Sequence, residues 1–422
     1  MPNVTETKRP VGVAVVAFLG FNLGGGPISR ARSLALGLAD AGARARLLAF
    51  GDEPPSPGAP SETVQTWRGV PVHCFLPERS LRITTERPLA RLWQKWQRDR
   101  TYIHQRRLLL AGLERMAALS EIQTVVLHNQ QWAASREMLT SCRRSGIKMV
   151  QQYVEQHISG DYSGGYLHPH LIRESLHKRF FPRLADGNLV ICTYLEQWCR
   201  ERSVRPCLLI PSLTSTEITP TTEAVEIRAG EPLTFAYIGP GSRRDCIRQM
   251  IDAASRLREL ELPFRMVLTG LTPQALTLAR SQAIGLGVDG SIELNGWQEE
   301  SVIRRLWRDA PIFMILRTND RSSRACFPGR VGDYVLHRRA LIFTDIPDYN
   351  VYFQHKRTAM LVRPEDPVSL ADAMEELIRN PSLVEALSRQ SSKLATTVFD
   401  FRSQGMRLYR WIQDEVHRPS KG

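Results

Sequence analysis

No stretch of this sequence is long and apolar enough to cross a bilayer. The longest apolar run, Val11 to Leu23, falls short of the roughly 18 residues a membrane helix needs and breaks into Gly24-Gly25-Gly26. Cysteine is sparse, with seven residues at 74, 142, 192, 199, 207, 246 and 326. Their odd number and the lack of any C-x-x-C pair exclude a disulfide framework and a zinc ribbon. The glycine loop Gly24-Gly25-Gly26 is neither a G-x-G-x-x-G fingerprint nor a G-K-[ST] loop, so dinucleotide-binding and ATP-hydrolysing readings lack their phosphate loop there. No D-x-D pair or His/Asp cluster with metal-ligand spacing stands at the end of an apolar run. Asp345 and Asp348 sit three apart in a Pro-containing loop and read as structural. Lys8-Arg9 ahead of an apolar run imitates a secretory signal, but no small-residue cleavage site follows. The expectation is a cytoplasmic protein.

What is present is the composition of a globular chain of 422 residues, 42% hydrophobic and 23% charged, long enough for two or three domains. Net charge is +13, and most of it lies early: up to residue 230 there are 29 Lys+Arg against 20 Asp+Glu. Apolar runs bounded by turn residues alternate with amphipathic stretches. Val11–Phe18, a glycine loop, a helical pattern through Ile28, Ala31, Ala35 and Leu38, and then Ala45–Phe50 make a βαβ unit and predict a parallel sheet. Further strands are predicted at 70–76, 124–128, 148–153, 189–192 and 208–210. Residues 213–230, rich in Ser, Thr and Glu, read as a linker. A second alternation follows, with strands predicted at 233–238, 264–269, 292–294, 312–316, 341–344 and 360–362.

The prediction is α/β, two doubly wound Rossmann-like domains over 1–212 and 231–396 with a ligand cleft between them. The aromatic tail 397–422 is predicted to be a helix that returns to the first domain. Between the third and fourth predicted strands an insertion, 79–115, carries ten Lys/Arg and three Asp/Glu, with Leu89, Leu92, Trp93 and Trp96 at helical spacing. Such a helix either packs its Trp face on its own domain or lies on an anionic membrane surface, which would place the protein peripherally at the inner face. Nucleic acid is disfavoured, because no nucleic-acid motif accompanies the charge.

The segment FPGRVGDYVLHRRALIFTDIPD, Phe327 to Asp348, resembles the nucleotide-sugar motif of retaining GT-B glycosyltransferases of the family 4 type. YIGPGSRRDCIRQMIDAA from Tyr237, ELNGWQEESVIRRLWRDAPIFMIL from Glu293 and AMLVRPEDPVSLADAMEELIRNPSLVEAL from Ala359 are similar to the same family; the match is looser from 11 to 212. The resemblance implies a GT-B hexosyltransferase-like enzyme that takes a sugar from a UDP- or GDP-sugar without metal or cofactor. The acceptor would be a glycan, a glycolipid or a small metabolite.

Departure of a nucleoside diphosphate leaves a dianion, so fixed cations and backbone N–H groups must meet the leaving oxygen. Arg243 and Arg244 are the candidate cations, their planar guanidinium groups suiting phosphate. Phe327, Pro328, Gly329, Arg330 and Val331 form the predicted turn into a helix near Gly329, whose N–H groups would face the diphosphate. Asp333 aligns with the second acid of the family's E-x7-E pattern and would accept from ribose hydroxyls. The first acid is replaced by Ala325. Trp297 is either a base-stacking platform or a packed tryptophan. In the first domain Gly24, Gly25 and Gly26 form a loop that admits a phosphate or sugar, and His128 ends a strand at the expected cleft. Glu155 is a candidate to orient acceptor or donor. Val154 replaces a family histidine, for which His157 is a candidate substitute. The replacements at 325 and 154 leave a second reading open, a catalytically weakened protein that binds a nucleotide sugar or a partner without transfer.

Overall fold

The computed structural model describes residues 10–20, 26–51, 53–56, 60–77, 88–128, 132–161, 165–214, 227 and 231–418. The chain divides into two compact units. Met1–Tyr153, Gly164–Ile210 and Phe401–Gly422 make the first, and Val154–Ser163 with Pro211–Asp400 make the second. The predicted sites Gly24 and Gly25 lie outside the described residues, as does most of 213–230; Gly26 opens the first helix.

The first unit is an eight-stranded sheet: β1 Gly12–Gly20, β2 Arg44–Phe50, β3 Glu62–Trp67, β4 Val70–Phe75, β5 Thr124–His128, β6 Lys148–Tyr153, β7 Gly187–Val190 and β8 Cys207–Leu209. The order is β3-β4-β2-β1-β5-β6-β7-β8, and every pairing is parallel except β3–β4. Val13, Val15 and Ala17 are as completely buried as Ala14 and Val16, so β1 is covered on both faces. Its helices are α1 Gly26–Asp40, α2 Pro88–Ala118, α3 Trp132–Arg144, α4 Pro169–Leu184 and α5 Thr193–Arg202. Leu109, Leu113 and Met116 of α2, Met138 and Cys142 of α3 and Phe181 of α4 share one core with Val125 and Leu127 of β5.

Two expectations change here. Strand β3 has no apolar run, because it is an edge strand whose side chains are exposed or half-buried. It joins β4 through Arg68-Gly69, both at positive φ (48° and 84°), the mirror-image turn that suits the twist of a hairpin. The basic insertion is consequently the crossover from β4 to β5. Its later half is core, with Gln105 donating to Gly51 O at 3.1 Å and Phe75 O at 2.8 Å.

The second unit is a parallel six-stranded sheet: β9 Leu233–Ile238, β10 Phe264–Thr269, β11 Ile292–Leu294, β12 Ile312–Ile315, β13 Ala340–Thr344 and β14 Met360–Val362, in the order β11-β10-β9-β12-β13-β14. Helices α6 Ile247–Glu259, α7 Pro273–Gly285, α8 Glu300–Asp309, α9 Arg321–Arg324, α10 Val331–Leu336, α11 Pro347–Asn350, α12 Pro367–Arg379 and α13 Pro381–Thr397 complete it. Helix starts follow capping chemistry. Thr272 accepts from Ala275 N ahead of Pro273, and Asp366 accepts from Val368 N and Ser369 N around Pro367. The order reverses between β9 and β12, which makes their carboxyl ends the switch point where loops part and leave room for a ligand.

The last helix, α14 Phe401–Trp411, belongs to the first unit and packs on α1. A Cβ on Gly405 would lie 2.2 Å from Gly37 C, so the two backbones touch where neither helix carries a side chain. Tyr409 Oη accepts from Val11 N at 3.1 Å.

Candidate active site

At the switch point of the second unit, the loop after β9 meets the loop after β12. Gly241, at φ 67°, has no space for a side chain: a Cβ would meet Leu271 Cδ2 at 2.8 Å and Ala275 Cβ at 2.9 Å. Gly241 N donates to Tyr237 Oη at 3.2 Å. Buried Asp245 accepts from Ser242 N at 2.7 Å and Ser242 Oγ at 2.6 Å, closing a capping box, and pairs with Arg317 from the loop after β12. Thr318 N donates to Arg244 O at 3.2 Å. The backbone that carries Arg243 and Arg244 is thus fixed on both sides.

These two arginines stand among carboxylates of the same unit. Arg243 Nη2 lies 2.7 Å from Asp320 Oδ2 and 3.2 Å from Asp161 Oδ1. Arg244 Nη2 lies 3.4 Å from Glu155 Oε2, and its Nη1 donates to Ser322 O at 3.4 Å. Burial opposes the charge on Arg244, but Cys326, Glu155 and Asp161 together outweigh it and hold its pKa above the ordinary value. The same balance, burial against Asp320 and Asp161, raises Arg243. Burial and Glu155 raise the pKa of the Cys326 thiol in spite of Arg244 and Arg317. The site therefore sets two guanidinium groups among three carboxylates, Arg244 countered by one long contact to Glu155 and Arg243 by closer ones to Asp320 and Asp161.

Of the predicted residues, Arg243, Arg244 and Glu155 come together here. His157 Nε2 lies 3.6 Å from Glu155 Oε1. Arg330 and Gly329 are exposed; Arg330 caps α10, which begins at Val331 rather than near Gly329. Phe327 packs edge-on against Tyr349 and Tyr352, and Pro328 and Val331 are buried, so what these three can present to a ligand is backbone. Asp333 is half-buried in the first turn of α10. Trp297, beyond the end of β11, is 81% exposed, which removes the packed alternative and leaves a ring available for stacking.

His128 lies in the first unit at the carboxyl end of β5, beside β1. The Gln152 amide satisfies both of its neighbours in one orientation only, its NH2 toward His128 Nδ1 at 2.7 Å and its oxygen toward Arg30 Nε at 2.5 Å. The neutral ring then carries its proton on Nε2. Arg30, pushed down to about 9 by burial, donates to Ile210 O at 2.7 Å.

Arg317, Asp320, Asp161 and Cys326 escaped the sequence reading. Arg317 and Asp320 had an available signal, since they follow directly on the strand Ile312–Leu316 at the switch point. Asp161 had none, because only the fold brings it to Arg243. Among the described residues no three His, Cys, Asp or Glu side chains gather into a metal-holding group.

Two Rossmann-like units with this site define the GT-B fold of glycosyltransferases. Residues 232–380 match the family described as glycosyl transferases group 1, which makes the second unit a glycosyltransferase domain. Sucrose-phosphate synthase from Thermosynechococcus elongatus is similar over 96% of this chain and 99% of its own, with a TM-score of 0.69 and 15% identity. Anabaena HepE, solved with UDP and glucose, is similar over 96% and 100% with a TM-score of 0.64 and 12% identity. WaaG, a glycosyltransferase involved in lipopolysaccharide biosynthesis, is similar over 95% and 100% with a TM-score of 0.60 and 11% identity. Comparison with curated protein sequences finds no match.

Proposed function

We propose that the protein is a retaining, family 4-like glycosyltransferase that moves a hexose from a UDP- or GDP-sugar to a glycan, glycolipid or small-metabolite acceptor. The observation that carries this reading is the pair Arg243 and Arg244, fixed at the switch point of the sheet in the second unit. A diphosphate seated there would replace carboxylates as their partner. The gain in charge contact would be greatest as the glycosidic bond breaks and the leaving oxygen becomes anionic. The N–H groups of the Pro328–Arg330 turn would meet the same phosphates, Asp333 the ribose and Trp297 the base. HepE, which has been solved with UDP-glucose, supports a uridine donor by similarity.

Retention needs no strong base, because the departing phosphate oxygen can take the acceptor proton on the face it leaves. Glu155 then orients hydroxyl groups and sets the charge on Arg244. In this reading the arginines supply the positive charge, and no metal or other cofactor is invoked. Incubation of the full chain with each UDP- and GDP-hexose and a cell extract, followed by proton NMR, should show release of the nucleoside diphosphate and a product anomer matching the donor. An inverted anomer would refute retention, and the absence of turnover with every donor would refute transfer.

A further inference from the structure

Helices α2, α3 and α4 cover one face of the first unit's sheet, with α3 between the other two. Arg106 of α2 lies beside Glu137 of α3, with Nε 2.6 Å from Oε2, and Phe180 and Phe181 of α4 lie beside Trp132 at the start of α3. The earlier turns of α2 and α4 therefore run past the start of α3. Gln105, bonded to Gly51 O and Phe75 O, marks where α2 passes the carboxyl ends of β2 and β4.

The outward sides of these two helices share one composition. On α2 the exposed stripe at spacings of three and four is Trp93, Trp96, Arg100, Ile103 and Arg107, with Trp93 59% and Trp96 54% exposed. On α4 it is Ile172, Arg173, Leu176, Arg179, Phe180 and Arg183. The α4 stripe contains no carboxylate, and on α2 the exposed Asp99 lies beside the stripe, three residues after Trp96 and four before Ile103. Glu174, the acid of α4, is buried and paired to Lys178 at 2.5 Å. Arg100 lies over the Trp96 ring at 4.8 Å and Arg179 over Phe180 at 5.7 Å. Among the described residues no helix is long and apolar enough to cross a membrane, so such a face can only lie on one.

We propose that the outward face of α2 and α4 docks on an anionic bilayer surface. Trp93, Trp96, Ile172, Leu176 and Phe180 would enter the headgroup boundary, while Arg100, Arg107, Arg173, Arg179 and Arg183 pair with lipid phosphates. Tryptophan beside arginine is the composition that this boundary selects, since one demands partial burial and the other anions at the same depth. The excess of arginine over acid on two separate helices argues for a lipid surface over a folded protein partner, whose own surface would carry both signs of charge.

The test is co-sedimentation of the full chain with vesicles of equal parts phosphatidylglycerol and phosphatidylcholine, against vesicles of phosphatidylcholine alone. The expected result is binding to the anionic vesicles, weakened by salt, and lost in Trp93→Ser/Trp96→Ser. Arg173→Gln and Arg179→Gln should each weaken it about fivefold. Circular dichroism keeps the variants interpretable, and Ile172→Ser/Leu176→Ser repeats the test on the other helix. Absence of binding, equal binding to neutral vesicles, or unchanged binding by both double variants would overturn the proposal. So would a concentration-dependent dimer abolished by the same substitutions, which would assign the face to a second copy of the chain.

Discussion

Replacing Arg244 by Gln separates a ligand-binding arginine from a structural brace. In the free protein its guanidinium makes two long contacts, to Glu155 Oε2 and to Ser322 O, both at 3.4 Å. Its side chain keeps 19% of its surface exposed and that of Glu155 35%, so on loss of the cation the carboxylate rehydrates and folding loses about 1 kcal/mol or less. A phosphate that replaced these contacts would gain charge-assisted bonds worth about 1.5–3 kcal/mol, roughly a 10- to 150-fold loss of affinity when they are removed. Arg243, held by both Asp320 and Asp161, has less charge to give, and Arg243→Gln should cost less. Glu155→Gln removes a competitor from Arg244 and should tighten diphosphate binding. Calorimetric titration with UDP and GDP, beside urea unfolding of each unliganded variant, provides both quantities. Unchanged affinity in Arg244→Gln together with a stability loss of several kcal/mol would mean that the arginine only braces the loop.

Asp333→Ala should lose more affinity for the ribonucleotide than for its 2′,3′-dideoxy analogue in the same calorimetry; equal losses would remove the ribose assignment. Trp297→Ala should leave the urea midpoint unchanged, since the ring is exposed. It should weaken nucleotide binding by about 1–3 kcal/mol if the ring stacks on the base. Burial pushes the His177 imidazole down to about 3, with Phe181 stacked at 4.5 Å and neither ring nitrogen hydrogen-bonded. The unfolded chain takes this proton first, so the His177 contribution is complete above about pH 6.5 and falls as pH drops toward the folded value. Near pH 5 the loss is about 2 kcal/mol, and His177→Phe should flatten that part of the urea-midpoint profile relative to the parent.

The central strands of the second unit were legible because they are parallel and covered on both faces, which forces an unbroken apolar run such as Ile312–Ile315. Strand β3 was hidden for the opposite reason, since Thr63, Val64, Gln65 and Thr66 face solvent and carry no pattern that burial imposes. The arginines were readable from their loop, where a glycine turn follows a strand. Their carboxylate partners were not, because Asp161 and Asp320 are separated from Arg243 by 82 and 77 positions of chain and meet it only through the fold. Helix α2 read as an insertion while its amphipathic first half dominated, and Gln105, Leu109 and Leu113 show the second half to be core.

The most direct test of the central claim is thermal unfolding of the full chain against a panel of nucleotides and nucleotide sugars. A ligand that binds the native state raises its stability by mass action. An upward shift is expected with UDP or GDP and with at least one of their sugar conjugates, a smaller shift with the monophosphate, and none with any of them in Arg243→Glu/Arg244→Glu. A panel without a shift in the parent protein, or an equal shift in that double variant, would contradict the claim.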